Sequence, residues 1–260
     1  MLDLAGKHAL VCGGSKGIGK ATSIELAKRG AHVTILARSV DYILDAIALL
    51  DTSINQVHGF ISADSSDIET LSQIAKALVS ERPVHILINN SGGPAAGAIL
   101  TADASQFLSA FTSHLIANHT LSSIVVPGMK KAHYGRIVNV ISTSVRIPLK
   151  GLGVSNTTRG AVASWAKTLS NELAPFGITV NNVLPGATST ERLSQIIENK
   201  VQKSNLSAEE VKRQMEEEIP MLRFGKPEEI AAVIAFLASP EASYVTGVSI
   251  PVDGGRTGCI

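Results

Sequence analysis

The chain has 260 residues, of which 45% are hydrophobic and 17% are charged, and its formal net charge is +1. This composition is that of a globular protein, at a length that one α/β domain can reach, and the near-zero charge argues against a nucleic-acid-binding surface. The two cysteines, Cys12 and Cys259, stand alone near opposite ends of the sequence, so neither a disulfide framework nor a metal site is expected.

The sequence shows no pattern of a targeting or membrane segment. Its first eight residues lack the basic start and apolar run of a signal peptide. No apolar stretch approaches about 18 residues, the length that spans a membrane. We therefore expect a cytoplasmic protein that binds no membrane and no nucleic acid, with a small-molecule substrate as its partner.

Short apolar segments alternate with longer segments that suit helices along almost the whole chain. We predict strands at 8–12, 32–36, 57–61, 84–88, 136–141, 178–184 and 248–252. Most of these segments are apolar without strict alternation, which is typical of parallel strands covered on both faces. The pattern predicts a single-domain, doubly wound α/β (Rossmann) fold over residues 1–260, with a seven-stranded, mostly parallel sheet and helices on both faces.

A glycine-rich turn follows the first predicted strand and opens the first predicted helix. It contains Gly13, Gly14, Ser15, Lys16, Gly17, Ile18 and Gly19. Glycines permit a tight turn and let the backbone approach a pyrophosphate, and the helix supplies free N–H groups and a positive dipole end. The position of this turn within a βαβ unit predicts a dinucleotide-binding site.

The end of the second predicted strand indicates which dinucleotide binds. Sites for NAD usually carry an acidic residue here that binds the ribose 2′-hydroxyl, whereas NADP sites use arginine for the 2′-phosphate. Position 37 is alanine, and Arg38 follows it. Because Arg38 can contact a phosphate with two N–H groups and Lys16 adds a second cation, we predict NADP(H) as the cofactor.

Three sequence patterns predict helix starts. Ser66 with Glu69, and Ser207 with Glu210, have the spacing of a capping box. Pro227 suits the first turn of a third helix.

Residues 188–221 break the alternation of short apolar segments and helical segments along the chain. This segment is rich in Glu, Lys, Gln and Ser and follows the sixth predicted strand. One interpretation is a solvated surface excursion. Because open α/β sheets bind ligands at the carboxyl ends of their strands, we favour a mobile lid over such a site.

These motifs are similar to those of the short-chain dehydrogenase/reductase family, and the resemblance covers nearly the whole chain. Gly13, Gly17 and Gly19 match the family's cofactor turn. Further matches are Asp64 with Ser65 after the third strand, Asn90 and Gly92 after the fourth, and Pro185, Gly186 and Thr190 after the sixth. The resemblance implies that these residues hold the cofactor and that the subunits form a homodimer or homotetramer.

Only one of the family's four catalytic positions is retained. Ser142 ends the fifth strand and matches the catalytic serine. The family's Tyr-x-x-x-Lys pair begins thirteen residues later, where this chain has Ser155 and Arg159. His114 stands where the family has asparagine, and Asn118 lies one turn further on.

These departures exclude the family's tyrosine-based proton transfer. A serine hydroxyl is a poorer acid than a phenol, and arginine stays protonated, so it cannot relay a proton as lysine does. We predict an NADP(H)-dependent reductase of carbonyl compounds, the family's 3-oxoacyl thioesters being one candidate class. A water bonded by Ser142 and Ser155 would donate the proton, with His114 as a relay.

Two alternatives remain at this stage. Arg159 can bind the cofactor ribose, as the family's lysine does, or engage a substrate carboxylate or phosphate. The whole protein can also be a non-catalytic NADP(H)-binding sensor or partner-binding protein that has lost its proton donor, since fold does not establish function.

Overall fold

Within residues 3–202 and 204–259, which a computed structural model of the chain describes, seven strands form one sheet in the order β3-β2-β1-β4-β5-β6-β7. The strands are β1 (His8–Cys12), β2 (His32–Ala37), β3 (Gly59–Ser62), β4 (Ile86–Asn89), β5 (Gly135–Val140), β6 (Ile178–Pro185) and β7 (Ser249–Val252). Every neighbouring pair is parallel. The predicted sheet is confirmed, and it is parallel throughout rather than mostly parallel.

Helices connect the strands and cover both faces of the sheet. They are α1 (Gly17–Lys28), α2 (Val40–Ile47), α3 (Ile68–Glu81), α4 (Ala104–Phe111), α5 (Ala117–Ala132), α6 (Gly153–Leu173), α7 (Glu191–Gln202), α8 (Ala208–Glu217) and α9 (Pro227–Ala238). A five-residue π-helix, Thr112–Ile116, joins α4 to α5.

Alternate strand positions supply two separate cores. Val11 and Ile35 pack in the core that includes α1, α2 and α9. Leu10 and Leu36, their neighbours in sequence, pack in the core that includes α3, α5 and α6. Because both faces are buried, both alternating sets of side chains are apolar, which explains the unbroken apolar runs in the sequence.

One of the three predicted helix starts is wrong by a residue. Asp67, not Ser66, caps α3, and its carboxylate accepts a hydrogen bond of 3.1 Å from the backbone N–H of Thr70. Ser66 lies one residue before the cap and donates its hydroxyl to Asp64. The capping box of Ser207 and Glu210 and the position of Pro227 at the start of α9 are both confirmed.

Four histidines lie near the amino-terminal edge of the sheet and act there in their neutral form. The Nδ1 atoms of His32, His58 and His85 accept backbone N–H groups at 2.8 to 3.1 Å. The buried ring of His8 contacts the Pro83 carbonyl through Nδ1, so Nε2 accepts the neighbouring threonine hydroxyl. A protonated ring cannot accept these bonds.

Burial lowers the pKa of three of these rings. Burial, which is the largest cause, and the charge of Arg82 lower the pKa of His8 from 6.5 to about 4, against a raising effect of its hydrogen bond to the Pro83 carbonyl. Burial also lowers the pKa of His32 and of His85. The unfolded chain therefore binds more protons than the folded chain as the pH falls below about 6.5.

We expect the folded state to lose stability as the pH falls from about 6.5 towards 4. The contribution of His8 is complete above its unfolded pKa, and lowering the pH from 7.5 to 5 removes on the order of 2 kcal/mol of it. Urea unfolding of wild type and His8→Gln at both pH values measures this effect, and the variant should show a shallower pH dependence. His133→Asn is the control, because His133 is exposed and its φ of 48° suits asparagine. An equal pH dependence in wild type and His8→Gln contradicts the assignment.

Candidate functional site

The site lies where the strand order reverses, at the carboxyl ends of β1 and β4. The chain runs from β1 outwards to β2 and β3, then returns to place β4 on the other side of β1. Such a switch point leaves a crevice for ligands. The side chain of Asn90 spans this crevice, donating from Nδ2 to the carbonyls of Cys12 and Gly13 at 3.3 Å each.

The glycine-rich turn has a shape that only glycine permits. Gly13 and Gly17 have φ angles of +58° and +49°. A Cβ atom on Gly19 would lie 2.0 Å from the Gly13 carbonyl oxygen, so the backbone segments approach too closely for any side chain. Lys16, the N-cap of α1, makes no side-chain capping bond. The cradle and the uncapped helix N-terminus therefore fit a pyrophosphate.

The predicted cations lie beside this turn. The guanidinium of Arg38 is 80% exposed and 4.0 Å from the carboxylate of Asp64. Lys16 forms an ion pair of 2.8 Å with Glu191 and stands 3.5 Å over the ring of Tyr42. The hydrogen bond from Lys16 to Glu191 raises the pKa of that lysine, with a smaller contribution from Tyr42.

Asp64 lies beside Arg38 at one end of the crevice. Asp64 accepts both the backbone N–H and the hydroxyl of Ser66 at 2.8 Å, and these bonds lower the pKa of its carboxyl. Ser65 beside it is half-buried. The predicted residues after β2 and β3 are thus brought together at one end of the crevice.

The segment after β6 contacts the glycine-rich turn. A Cβ atom on Gly17 would lie 3.1 Å from the methyl group of Thr190. The hydroxyl of Thr190 donates to the Thr188 carbonyl at 3.2 Å, and the Gly186 N–H donates to Val252 of β7 at 3.0 Å. The segment that contacts the turn therefore carries Pro185, the last residue of β6, together with Gly186 and Thr190.

The predicted catalytic residues come from β5 and α6. Ser142 follows β5, and its hydroxyl oxygen accepts the N–H of Ser144 at 3.1 Å. Ser155 lies half-buried in the first turn of α6. Arg159 lies four residues later, on the same face of that helix.

Arg159 is buried, with 7% of its surface exposed. Its two terminal nitrogens donate to the Val140 carbonyl at 3.2 Å and the Ser91 carbonyl at 3.3 Å. Burial and the charge of Arg192 lower the pKa of Arg159 to about 10. The guanidinium therefore stays charged at neutral pH.

His114 lies in the π-helix and is buried next to Arg159. Its Nδ1 is 2.5 Å from the hydroxyl oxygen of Ser91. Burial, followed by the charge of Arg159, lowers the pKa of His114 to about 3. The imidazole is therefore neutral at pH 7. It can relay a proton, but it does not start the reaction as a protonated imidazolium. Asn118 makes no side-chain hydrogen bond with the described residues, so no contact places it in the site.

Two residues of the site were missed in the sequence. Ser91 joins His114 to Arg159, and its position between Asn90 and Gly92 in the motif after β4 was the available signal. Arg192 donates from Nη2 to the Pro94 carbonyl at 3.0 Å and lowers the pKa of Arg159 through its charge. Its position two residues after Thr190 was the available signal.

A cavity of about 520 Å³ opens beside His114. It is lined by Gly92, Gly93, Pro94, Ser109 and Ser113, among others. A cavity of about 650 Å³ near Lys150 and Asn156 contains none of the predicted site residues. The cavity beside His114 is therefore the candidate substrate pocket.

Among residues 3–202 and 204–259, no cluster of three or more histidine, cysteine, aspartate or glutamate side chains suits a metal ion. The helices in the same part of the chain include none that is long and apolar enough to span a bilayer.

The crevice, the glycine cradle and the uncapped start of α1 together define a dinucleotide-binding protein of the doubly wound α/β class. Within that class, the family model described as enoyl-(acyl carrier protein) reductase matches residues 13–257. The chain belongs to the short-chain dehydrogenase/reductase family.

Relatives and solved structures are similar over nearly their full lengths. The chain is 33% identical to the NADPH-dependent reductase BacG of Bacillus subtilis, over 96% of this chain and 97% of that protein. It is 36% identical to a cyclohexanol dehydrogenase of a Rhodococcus species, over 98% of each chain. The crystal structure of YwfH, an NADPH-dependent reductase involved in bacilysin biosynthesis, has a TM-score of 0.92 at 32% identity, covering 98% of this chain and 99% of that one. L-Sorbose reductase of Gluconobacter frateurii, complexed with NADPH and L-sorbose, has a TM-score of 0.93 at 28% identity, covering 100% and 99%.

Proposed function

We propose that this protein is an NADP(H)-dependent reductase of small carbonyl compounds. The observation that carries the proposal is the glycine cradle with Arg38 and Lys16 beside it and no acid at Ala37. Relatives named as NADPH-dependent reductases and as dehydrogenases support an enzyme over a non-catalytic binding protein. When bound, NADPH supplies the hydride.

The residues that would hold the cofactor surround the crevice from three sides. They are Gly13, Ser15, Lys16, Gly17, Ile18, Gly19, Arg38, Asp64, Ser65, Asn90, Gly92, Arg159, Pro185, Gly186 and Thr190. The turn and α1 would take the phosphates. Arg38, exposed and paired with Asp64 only at 4.0 Å, is free to form a tighter bond with a 2′-phosphate.

Arg38→Leu should weaken NADPH binding by about 10- to 100-fold, because a lost hydrogen bond to a charged group costs roughly 1.5–3 kcal/mol. The dissociation constant of NADH, which lacks the phosphate, should change less than twofold. Fluorescence titration measures both constants. Lys76→Met, at an exposed position on α3, is the control for loss of a cation. Equal weakening of NADPH binding and NADH binding would mean that Arg38 does not bind the 2′-phosphate.

The proton must come from a source other than a tyrosine of this chain. Its three tyrosines lie elsewhere: Tyr42 stands against Lys16, Tyr134 bonds the Ala238 carbonyl, and Tyr244 is fully exposed. A water bonded by Ser142 and Ser155 would deliver the proton to the carbonyl oxygen. His114, neutral and bonded to Ser91, would return a proton to that water by accepting at one ring nitrogen and releasing from the other.

Ser142→Ala should lower turnover by about 10²- to 10⁴-fold, the usual contribution of a positioned proton donor, while the NADPH dissociation constant stays unchanged. The assay is NADPH oxidation with a panel of ketones, aldehydes, quinones and 3-oxoacyl thioesters. Thr157→Ala, on the exposed face of α6, is the matched control. Unchanged turnover in Ser142→Ala excludes this proton route. Tight NADPH binding without oxidation by any panel member would favour the non-catalytic binding protein instead.

Residues 188–221 would act as a lid. Their helices α7 and α8 contribute to a small hydrophobic cluster around Leu193, Ile219 and Phe224, which is separate from the two main cores and includes Phe224 from just beyond the segment. The Lys16–Glu191 ion pair ties this segment to the glycine-rich turn. A segment with a small hydrophobic cluster, joined to the rest of the protein by surface ion pairs and loop hydrogen bonds, can move as one body.

Glu191→Gln should tighten NADPH binding about two- to fivefold, because it releases Lys16 for the 2′-phosphate and a surface ion pair contributes only about 0.2–1 kcal/mol. NADH binding should stay the same. Glu198→Gln, exposed on the same helix, is the control. Hydrogen exchange in residues 191–202 should slow when NADPH binds. Exchange that is unaffected by NADPH contradicts the lid.

A further inference from the structure

The buried charge of Arg159 has no carboxylate partner. Among residues 3–202 and 204–259, no Asp or Glu oxygen lies within 4.0 Å of Arg159 or Arg192. Arg159 uses two of its five N–H groups on backbone carbonyls. A buried cation without a counter-ion is costly, so this position suits an anion that arrives from outside the chain.

Two guanidinium groups approach Gly93, a residue that lines the cavity beside His114. A Cβ atom on Gly93 would lie 3.9 Å from Nη2 of Arg159 and 3.8 Å from Nη2 of Arg192. Arg159 reaches this point from α6, and Arg192 reaches it from α7. Because position 93 is glycine, the space between the two groups is free of a side chain.

The residues that line this cavity carry no charged side chain that would compete. Ser105, Gln106, Ser109 and Ser113 are neutral, and the pKa of His114 is lowered to about 3. The cations predicted to meet the cofactor phosphates, Lys16 and Arg38, lie by the ends of β1 and β2 instead. Arg159 and Arg192 therefore supply the positive charge next to the cavity beside His114.

We propose that the substrate of this reductase carries a carboxylate, held between Arg159 and Arg192. Two planar guanidinium forks match the geometry of a carboxylate, which accepts paired N–H bonds. This inference rests on the proposed function, since it names the substrate class of the same site. Because Arg192 belongs to α7, a bound carboxylate would also tie the lid to α6.

Binding without turnover tests the arginine pair directly. Calorimetry with NADP⁺ present would compare four acids with their primary amides: propanoate, succinate, phenylacetate and cyclohexanecarboxylate. At least one acid should bind ten times more tightly than its amide, and Arg192→Gln should abolish that preference. Arg213→Gln is the control, because Arg213 is an exposed arginine of α8 paired with Glu217. The absence of any preference for an acid over its amide overturns the proposal.

Because Arg159 is also one of the proposed cofactor residues, the arginine pair could belong to the cofactor site instead. The variant Arg192→Gln separates a carboxylate site from a cofactor site. Arg192→Gln should leave the NADP⁺ dissociation constant within twofold of wild type. If it weakens NADP⁺ binding and leaves the acid-to-amide ratio unchanged, the pair belongs to the cofactor site and the proposal fails.

Turnover separates failure of this inference from failure of the proposed function. NADPH oxidation would be followed with 4-oxopentanoate, 4-oxocyclohexanecarboxylate and their methyl esters. The acids should have at least tenfold higher kcat/KM than the esters, and Arg192→Gln should remove the difference through KM. Equal rates with acids and esters overturn the carboxylate site but keep the reductase. Acid binding that depends on Arg192, without oxidation of NADPH by these or the broader carbonyl panel, keeps the carboxylate site and overturns the reductase.

Discussion

A row of buried amide side chains fixes the register of the sheet beneath the site. Asn89 donates to Asn139 at 2.9 Å, Asn139 donates to Asn182 at 3.0 Å, and Asn182 donates to Ser249 at 3.0 Å. These residues are direct partners across β4, β5, β6 and β7. A slip of one residue in any strand would turn an amide towards the opposite face and leave its neighbours unpaired. The site depends on this row because Ser142 lies only three residues beyond Asn139.

The row also connects the two halves of the crevice. Asn90, the residue after Asn89, donates to the carbonyls of Cys12 and Gly13 and so fixes the glycine-rich turn against β4. The oxygen of Asn89 ends the row, buried and without a partner among the described residues. The register of the substrate half and the position of the cofactor turn are therefore linked through the backbone between Asn89 and Asn90, which carry the two sets of side-chain bonds.

The fold was predictable because local patterns determine it, whereas the paired charges of the site were not. Apolar runs identified all seven strands, and counting from Ser142 identified Ser155 and Arg159 as departures from the family pattern. The ion pair between Lys16 and Glu191 joins residues 175 positions apart, and no local pattern predicts it. Arg192 meets Arg159 only because α7 folds back over the end of β4. Neither that path nor the π-helix around His114 has a strong signal in a single sequence.

The buried charge of Arg159 influences the electrostatics of the candidate catalytic site. Arginine cannot give up its proton, so the charge at Arg159 is permanent at neutral pH. That charge, added to the effect of burial, keeps His114 neutral. An anion bound beside Arg159 would offset the positive charge of that arginine, so that only burial would still lower the pKa of His114. The pKa of His114 would therefore rise. Substrate binding and proton transfer would then be coupled through one guanidinium, in a site where the family's phenol no longer supplies the acid.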